Sequence, residues 1–195
     1  MQFPKTSGQC VYLRGIQSPK PILVATGPAG SGKTMLACQE AVRLLGKREF
    51  NHVIFTRPVI SADENLGYLP GDIDEKMEPW SRVMLEYCHM TPRMSVEPLG
   101  FMRGRTFHDT FIIADEMQNS TPNQMKMLLT RIGNNSKMVI LGDPEQSDLN
   151  ETNGLTDIIN RVEGLDLEYL ELVNMGLDDV IRHDAVTEII SVYHI

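Results

Sequence analysis

Residues 27–34 read Gly-Pro-Ala-Gly-Ser-Gly-Lys-Thr, a full GxxxxGK[ST] pattern. Its glycines let the chain curl until successive backbone N–H groups face one anion. The amine of Lys33 can reach the outer phosphates of a triphosphate, and the hydroxyl of Thr34 can enter the shell of Mg²⁺. An apolar run at 21–26 precedes the pattern and a helix-like run at 33–45 follows it. The helix start adds partial positive charge beneath the phosphates. That setting separates the pattern from a glycine-rich turn formed by chance. The expected cradle for ATP is Gly27, Pro28, Ala29, Gly30, Ser31, Gly32, Lys33 and Thr34.

Two further strand ends supply the complementary chemistry. The run Phe-Ile-Ile-Ala at 111–114 ends in Asp115 and Glu116. In open α/β sheets ligands bind at the carboxyl ends of the strands, where neighbouring side chains point in different directions. Asp115 is expected to hold Mg²⁺ while Glu116 activates a water in line with the γ-phosphate. A solvated acidic turn is the alternative. A second apolar run, at 137–141, ends in Gly-Asp-Pro-Glu-Gln, with Gln146 able to sense the γ-phosphate or orient the water. Here the alternative is a plain turn, since Gly-Asp-Pro is good turn chemistry.

Alternating strand-like and helix-like runs must position these groups, and they predict a parallel sheet covered by helices. Strands are expected at 21–26, 52–56, 110–114, 137–141 and 167–172, and helices at 33–45, 72–89, 121–132, 155–162 and 184–193. The helix at 121–132 carries a capping box in Thr121 and Gln124, with Pro122 in its first turn. The 195 residues are 42% hydrophobic, enough for one domain with a core. The net charge of −8 is uneven: 16 basic and 14 acidic residues fall in 1–144, against 2 basic and 12 acidic in 145–195. An acidic tail of this kind argues against a general nucleic-acid binder but leaves room for a local basic groove earlier in the chain. Cys10, Cys38 and Cys88 lack metal-ligand spacing and read as reduced thiols, and no apolar run is long enough to span a membrane. The expectation is a cytoplasmic protein. Of the many methionines, Met77, Met84, Met90, Met94 and Met102 read as core filling. Tyr68, Trp80 and Phe101 could stack on bases but are also expected in the core.

Together these segments resemble the PhoH-like family of P-loop ATPases over nearly the whole chain. The stretches that carry the resemblance include GPAGSGKT, TRPV at 56–59, NLGYLPGDIDEKMEPW at 65–80, FMRGRTFHDTFIIADEMQN at 101–119, SKMVILGDPEQSDL at 136–149 and VIRHDAV at 180–186. The resemblance implies a three-layer RecA-like core related to superfamily 1 helicases, ATP hydrolysis, and a role on single-stranded RNA. By position it implies Gln146 in a helicase-like GDxxQ element, Gln9 as a contact to the base, and Arg57 in a nucleic-acid-contacting segment. The short form resembles phage-type members, without a nuclease-like domain, in bacterial or phage-infected cytosol.

Hydrolysis needs positive charge on the γ-phosphate, which helicases draw from a second RecA-like domain. A single domain would either hydrolyse slowly or take it from a neighbouring subunit, and a head-to-tail contact of that kind closes into a ring, here expected to be a hexamer. Arg182 is expected to be this arginine finger or a sensor, with Arg103 and Arg105 as competitors; a surface ion pair with Asp178, Asp179 or Asp184 is the alternative. Arg103 and Arg105 also flank a glycine where a loop could meet RNA phosphates. The competing functions are an ATP-dependent switch that recruits a protein, and a small-molecule kinase, against which the Asp-Glu pair and GDxxQ argue. Arg182→Ala should lower ATP turnover at fixed protein concentration; unchanged turnover would remove Arg182 from the mechanism.

Overall fold

The computed structural model describes residues 4–58, 86–149 and 152–181, together with Ala185, Glu188 and Val192. The expected helix at 72–89 lies outside the described residues except near its end, where Glu86 and Tyr87 are helical. Met77, Met84, Tyr68, Trp80 and Arg182 also lie outside them.

In chain order the elements are α1 (Ser7–Gln17), β1 (Ile22–Thr26), α2 (Lys33–Gly46), β2 (His52–Arg57), β3 (Met94–Pro98), β4 (Thr110–Ala114), α3 (Pro122–Leu129), β5 (Lys137–Gly142), α4 (Gly154–Val162) and β6 (Leu170–Asn174). The strands form one sheet in the order β3-β2-β4-β5-β1-β6, and every pairing is parallel. Alternate strand residues enter opposite faces. Leu23, Ala25, Phe55, Phe111, Ile113, Val139 and Leu141 join one core with Tyr12 and Ile16 of α1 and Leu36, Ala37, Ala41 and Leu44 of α2. Val24, Ile54, Ile112, Met138 and Ile140 join the other with Met125 and Leu128 of α3 and Leu155 of α4. Burying a side chain of this size stabilises by about 1.5–3 kcal/mol, so the two faces hold the sheet between helix layers. The expected three-layer α/β architecture is the one observed.

Two elements escaped the sequence reading. Helix α1 contains two glycines and a β-branched valine, which weaken its intrinsic propensity. It forms because Thr6 caps it, accepting from Gln9 N at 3.1 Å, and because Gln9, Tyr12 and Ile16 make a buried stripe. Among the described residues strand β3 pairs only with β2, at the sheet edge, and of its residues only Met94 is buried. Expected bounds shift elsewhere. Helix α3 has the expected capping box but ends at Leu129, short of Ile132. There the Thr130 hydroxyl turns back onto Met127 O at 2.8 Å, and Ile132 bridges to Phe107 instead. Strand β6 starts at Leu170 because its register follows β1, with Ile22 opposite Leu170. Met94 and Met102 are core residues, as expected. Phe101 is not: it is 56% exposed, a correction that follows from its place on the 3-10 turn Leu99–Met102, which buries Leu99 and Met102 inward.

At the N-terminal edge of the sheet, buried Lys137 donates to Gly15 O at 2.9 Å, Ser18 O at 3.0 Å and Lys20 O at 2.6 Å. It thereby ties β5 to the end of α1 and the entry to β1. Burial lowers its amine to about 8, whereas an unfolded lysine keeps its proton to about pH 10.4. Between those values the unfolded chain binds more protons, so the stability contributed by this site rises with pH. Lys137→Met should strand three carbonyls and cost about 1–3 kcal/mol in chemical denaturation. The wild type should gain further on the variant from about pH 8 to about pH 9; a gap that narrows over this interval would contradict the depressed lysine.

Candidate functional site

The phosphate loop leaves β1 at Gly27, whose φ is +146°. A Cβ there would lie 2.6 Å from the carbonyl oxygen of Met175, so only glycine lets the loop pass beneath the chain leaving β6. Gly30 and Gly32 are left-handed, at φ 88° and 84°. Gly32 caps α2 with no side-chain bond, which leaves the first amides of that helix pointing into the loop. The Lys33 amine folds over the same loop, donating to Gly27 O at 2.5 Å, Pro28 O at 2.9 Å and Ser31 Oγ at 3.1 Å. A phosphate entering the cradle would offer stronger, charged acceptors to these donors. Tyr12 fixes the start of α2 by donating its hydroxyl to Lys33 O at 3.0 Å.

Across the cleft, register places the ends of β4, β5 and β2 at one edge: Ala114 lies opposite Ile140 and Thr56 opposite Ala114. Thr34 Oγ1 donates to Asp115 Oδ2 at 2.9 Å. Two adjacent ligands of an octahedral Mg²⁺ stand about 2.9 Å apart, given metal–oxygen distances near 2.1 Å, so the pair fits that ion. Among the described residues no group of three or more His, Cys, Asp or Glu could hold a metal. A cation here would therefore complete its shell with phosphate and water oxygens. Burial, then the neighbouring Glu116 carboxylate, pushes the Asp115 carboxyl above the ordinary aspartate range, against the lowering effect of the Thr34 hydroxyl. A bound divalent ion would favour the ionised form.

Glu116 takes a left-handed backbone, φ 54°, and its carboxylate lies close enough to Asp115 to raise that group. Its Oε2 accepts from Gln118 Nε2 at 2.6 Å, and Gln118 Oε1 accepts from Asp143 N at 3.2 Å. Ser147 Oγ donates to Gln118 O at 2.9 Å and Asp148 N to Asn119 Oδ1 at 3.0 Å. The loop that carries Gln146 is thus pinned to the turn that follows Glu116. Gly142 allows this, since a Cβ there would lie 2.5 Å from Gln118 Oε1.

The cleft has a volume of about 530 Å³ and brings together most of the expected groups: the loop, Lys33, Thr34, Asp115, Glu116, Gln146, Gln9 and Arg57. Gln9 is buried. Its Nε2 donates to Ser31 O at 3.0 Å and its Oε1 accepts from Lys5 N at 2.7 Å, so it braces the loop from behind. Arg57 enters the cleft from the end of β2. Arg103 and Arg105 do not line it. Both are exposed; Arg105 pairs with Glu97, and its guanidinium sits 4.6 Å from the Phe107 ring centroid. Asp179 accepts from Thr6 Oγ1, from Gly8 N at 3.0 Å and from Gly176 N at 2.9 Å, bonds that hold its carboxyl below the usual range. Two positions on, Ile181 N donates to Gly30 O at 3.1 Å, so the segment containing Asp179 closes against the phosphate loop.

The family described as PhoH-like protein matches residues 3–194. The PhoH-like protein of Bacillus subtilis (strain 168) is 39% identical over 203 residues, covering 97% of this chain and 63% of the relative. That of Mycobacterium tuberculosis (strain ATCC 25618 / H37Rv) is 40% identical over 204 residues, covering 97% and 57%. Protein PhoH of Escherichia coli (strain K12) is 38% identical over 195 residues, covering 91% and 54%. The chain therefore spans less than two thirds of the length of these relatives. Among solved structures, Pif1 helicase from Candida albicans shares the fold, with a TM-score of 0.51 at 15% identity, over 97% of this chain and 43% of that one.

Gln118 and Asp179 carry roles that the sequence reading missed. Neither stands in a spacing that signals a site; the one available hint is an amide two residues beyond Glu116. Gln118→Ala should lower nucleotide turnover about 10–100-fold, the range for residues that orient a reacting group, with nucleotide affinity little changed. Parallel losses in kcat and affinity in a steady-state assay would make Gln118 a packing residue only.

Proposed function

The chain belongs to the PhoH-like family of P-loop nucleoside triphosphatases, and from that premise we propose that it hydrolyses ATP with Mg²⁺ and couples turnover to single-stranded RNA. The observation that carries the hydrolytic part is the Thr34–Asp115 contact of 2.9 Å between the phosphate cradle and the acidic strand end. In this reading the amides of residues 30–34 and the Lys33 amine bind the β- and γ-phosphates. Thr34 and Asp115 hold Mg²⁺, which when bound offsets charge between those phosphates. Glu116 accepts a hydrogen bond from the attacking water and takes its proton as the γ-phosphoryl leaves. Gln146, on the loop pinned by Gln118, orients that water or senses the γ-phosphate. Gln9 stands at the opposite end of the cleft, where its remaining N–H and lone pair could meet the base.

The RNA part is supported by the surface beyond β3. Exposed Phe101 adjoins Arg103 and Arg105, and Arg131 Nη1 donates to Arg105 O at 3.0 Å, which brings a third guanidinium to the patch. An aromatic face beside arginines is the chemistry of sequence-tolerant stacking on single strands. The assembly in this reading is a head-to-tail hexameric ring, with Arg182 of one subunit serving its neighbour's site. A switch that recruits a protein through ATP binding, without RNA, is the rival that the same experiment separates.

Glu116→Gln should bind ATP with Mg²⁺ yet lose about 10²-fold or more of wild-type turnover. Wild-type turnover should rise on addition of single-stranded RNA, and light scattering should show assembly with ATP and Mg²⁺. RNA that leaves the rate unchanged would favour the switch, and a phosphorylated small molecule among the products would replace both readings with a kinase.

A further inference from the structure

The geometry points to Arg57 as the cation that binds the γ-phosphate from within the same chain, a role that rests on the nucleotide-hydrolysing reading above. Resemblance to helicases implies a nucleic-acid contact for this residue; in the fold it lines the cleft that holds Asp115 and Glu116. Arg57 ends β2, and β2 lies directly beside β4. Thr56 is in register with Ala114, and Asp115 N donates to Thr56 O at 2.9 Å. Arg57 is therefore the next residue along from the one that anchors the metal-binding carboxylate.

The order of strands sets the direction of the ligand. The phosphate loop follows β1, Asp115 follows β4 with β5 between them, and Arg57 follows β2 beyond β4. Neighbouring strands stand about 4.8 Å apart, so the cleft runs outward from Gln9 and the loop, past Thr34 and Asp115, to Arg57. A triphosphate seated with its β-phosphate on the loop extends its γ end in that direction. The Arg57 side chain lines this end of the cleft together with Glu116 and Gln146. Its Nε is enclosed by protein, and its positive charge acts to lower the buried Asp115 carboxyl, which places the side chain beside that group. Arg103 and Arg105 cannot take this part within their own chain, because neither lines the cleft.

A planar guanidinium with paired N–H groups suits a phosphoryl group whose charge spreads over its outer oxygens as it departs. Of the described cations that line the cleft, Lys5 stands beside Gln9 and Lys33 on the phosphate loop, and Arg57 supplies positive charge at the far side. A neighbouring subunit, if one docks, then adds to a site that already carries its own arginine.

The test compares wild type, Arg57→Ala and Arg57→Lys in binding of ADP and of a slowly hydrolysed ATP analogue, both with Mg²⁺, and of single-stranded RNA without nucleotide. Arg57→Ala should lose about tenfold or more of the preference for the triphosphate, with ADP and RNA affinities unchanged, since one charge-assisted pair is worth at least this much. Its kcat should fall about 10²-fold or more. Arg57→Lys should recover part of the triphosphate preference and little of the turnover. Mixing Arg57→Ala with Lys33→Ala subunits should restore nothing. Weakened RNA binding with triphosphate preference intact, or turnover recovered on mixing, would overturn the assignment. The binding comparison stands even if wild type proves unable to hydrolyse ATP, a result that would sink the hydrolytic reading by itself.

Discussion

The Thr34 hydroxyl meets the Asp115 carboxylate at 2.9 Å, across 81 positions of sequence. The contact requires the first turn of α2 and the end of β4 to stand at one height, with β5 between β4 and β1. Parallel pairing provides that level edge: Ala25 is opposite Leu141 and Ala114 opposite Ile140. A slip of one residue in β4 would send Asp115 to the opposite face and exchange Ile113 for Ile112 in the cores. The apolar burial of the sheet and the chemistry of the cleft are for this reason one constraint. Whatever stabilises the register also holds the two oxygens at the spacing of adjacent metal ligands.

Around that contact the ends of the described chain act as a brace. Gln9 of α1 holds Ser31 O, Asp179 holds the start of α1, and Ile181 N holds Gly30 O. Gln9 and Asp179 are buried polar groups with their partners in place, an arrangement that rigidifies because each lost bond would strand a polar atom. Bonds of this kind hold the phosphate loop in shape, and fixed donors are the condition for electrostatic stabilisation without reorganisation at the moment of reaction. The sheet is part of the fold shared with Pif1 helicase from Candida albicans; the brace joins α1 and residues 176–181 to the phosphate loop.

Much of the architecture was legible because its signals are local and strong. Runs such as residues 111–114 and 138–141 are wholly buried in β4 and β5 and could hardly be anything but central strands. Thr121, Pro122 and Gln124 form the capping box their spacing announces. What escaped sits at edges. Strand β3 buries one residue, and α1 depends on Asp179, 171 positions away from Gly8, to satisfy its first turn. Phe101 was expected inside and lies outside because its neighbours Leu99 and Met102 already fill the space beneath the turn.

The phosphate-loop motif and the acidic pair could be read directly from the order of the residues. Both depend on bonded neighbours: glycines that accept positive φ, a helix start, and a carboxylate at the end of an apolar run. The positions of Gln118, Gln9 and Arg57 follow from packing between distant segments. Gln118 reaches Glu116 because the chain turns left-handed at φ 54°. Gln9 is taken up by a loop 22 positions on. Arg57 lines the cleft because β2 is laid beside β4. Spacing along a chain states which residues are near in sequence; the direction of a side chain at a strand end is set by the neighbouring strand and its register.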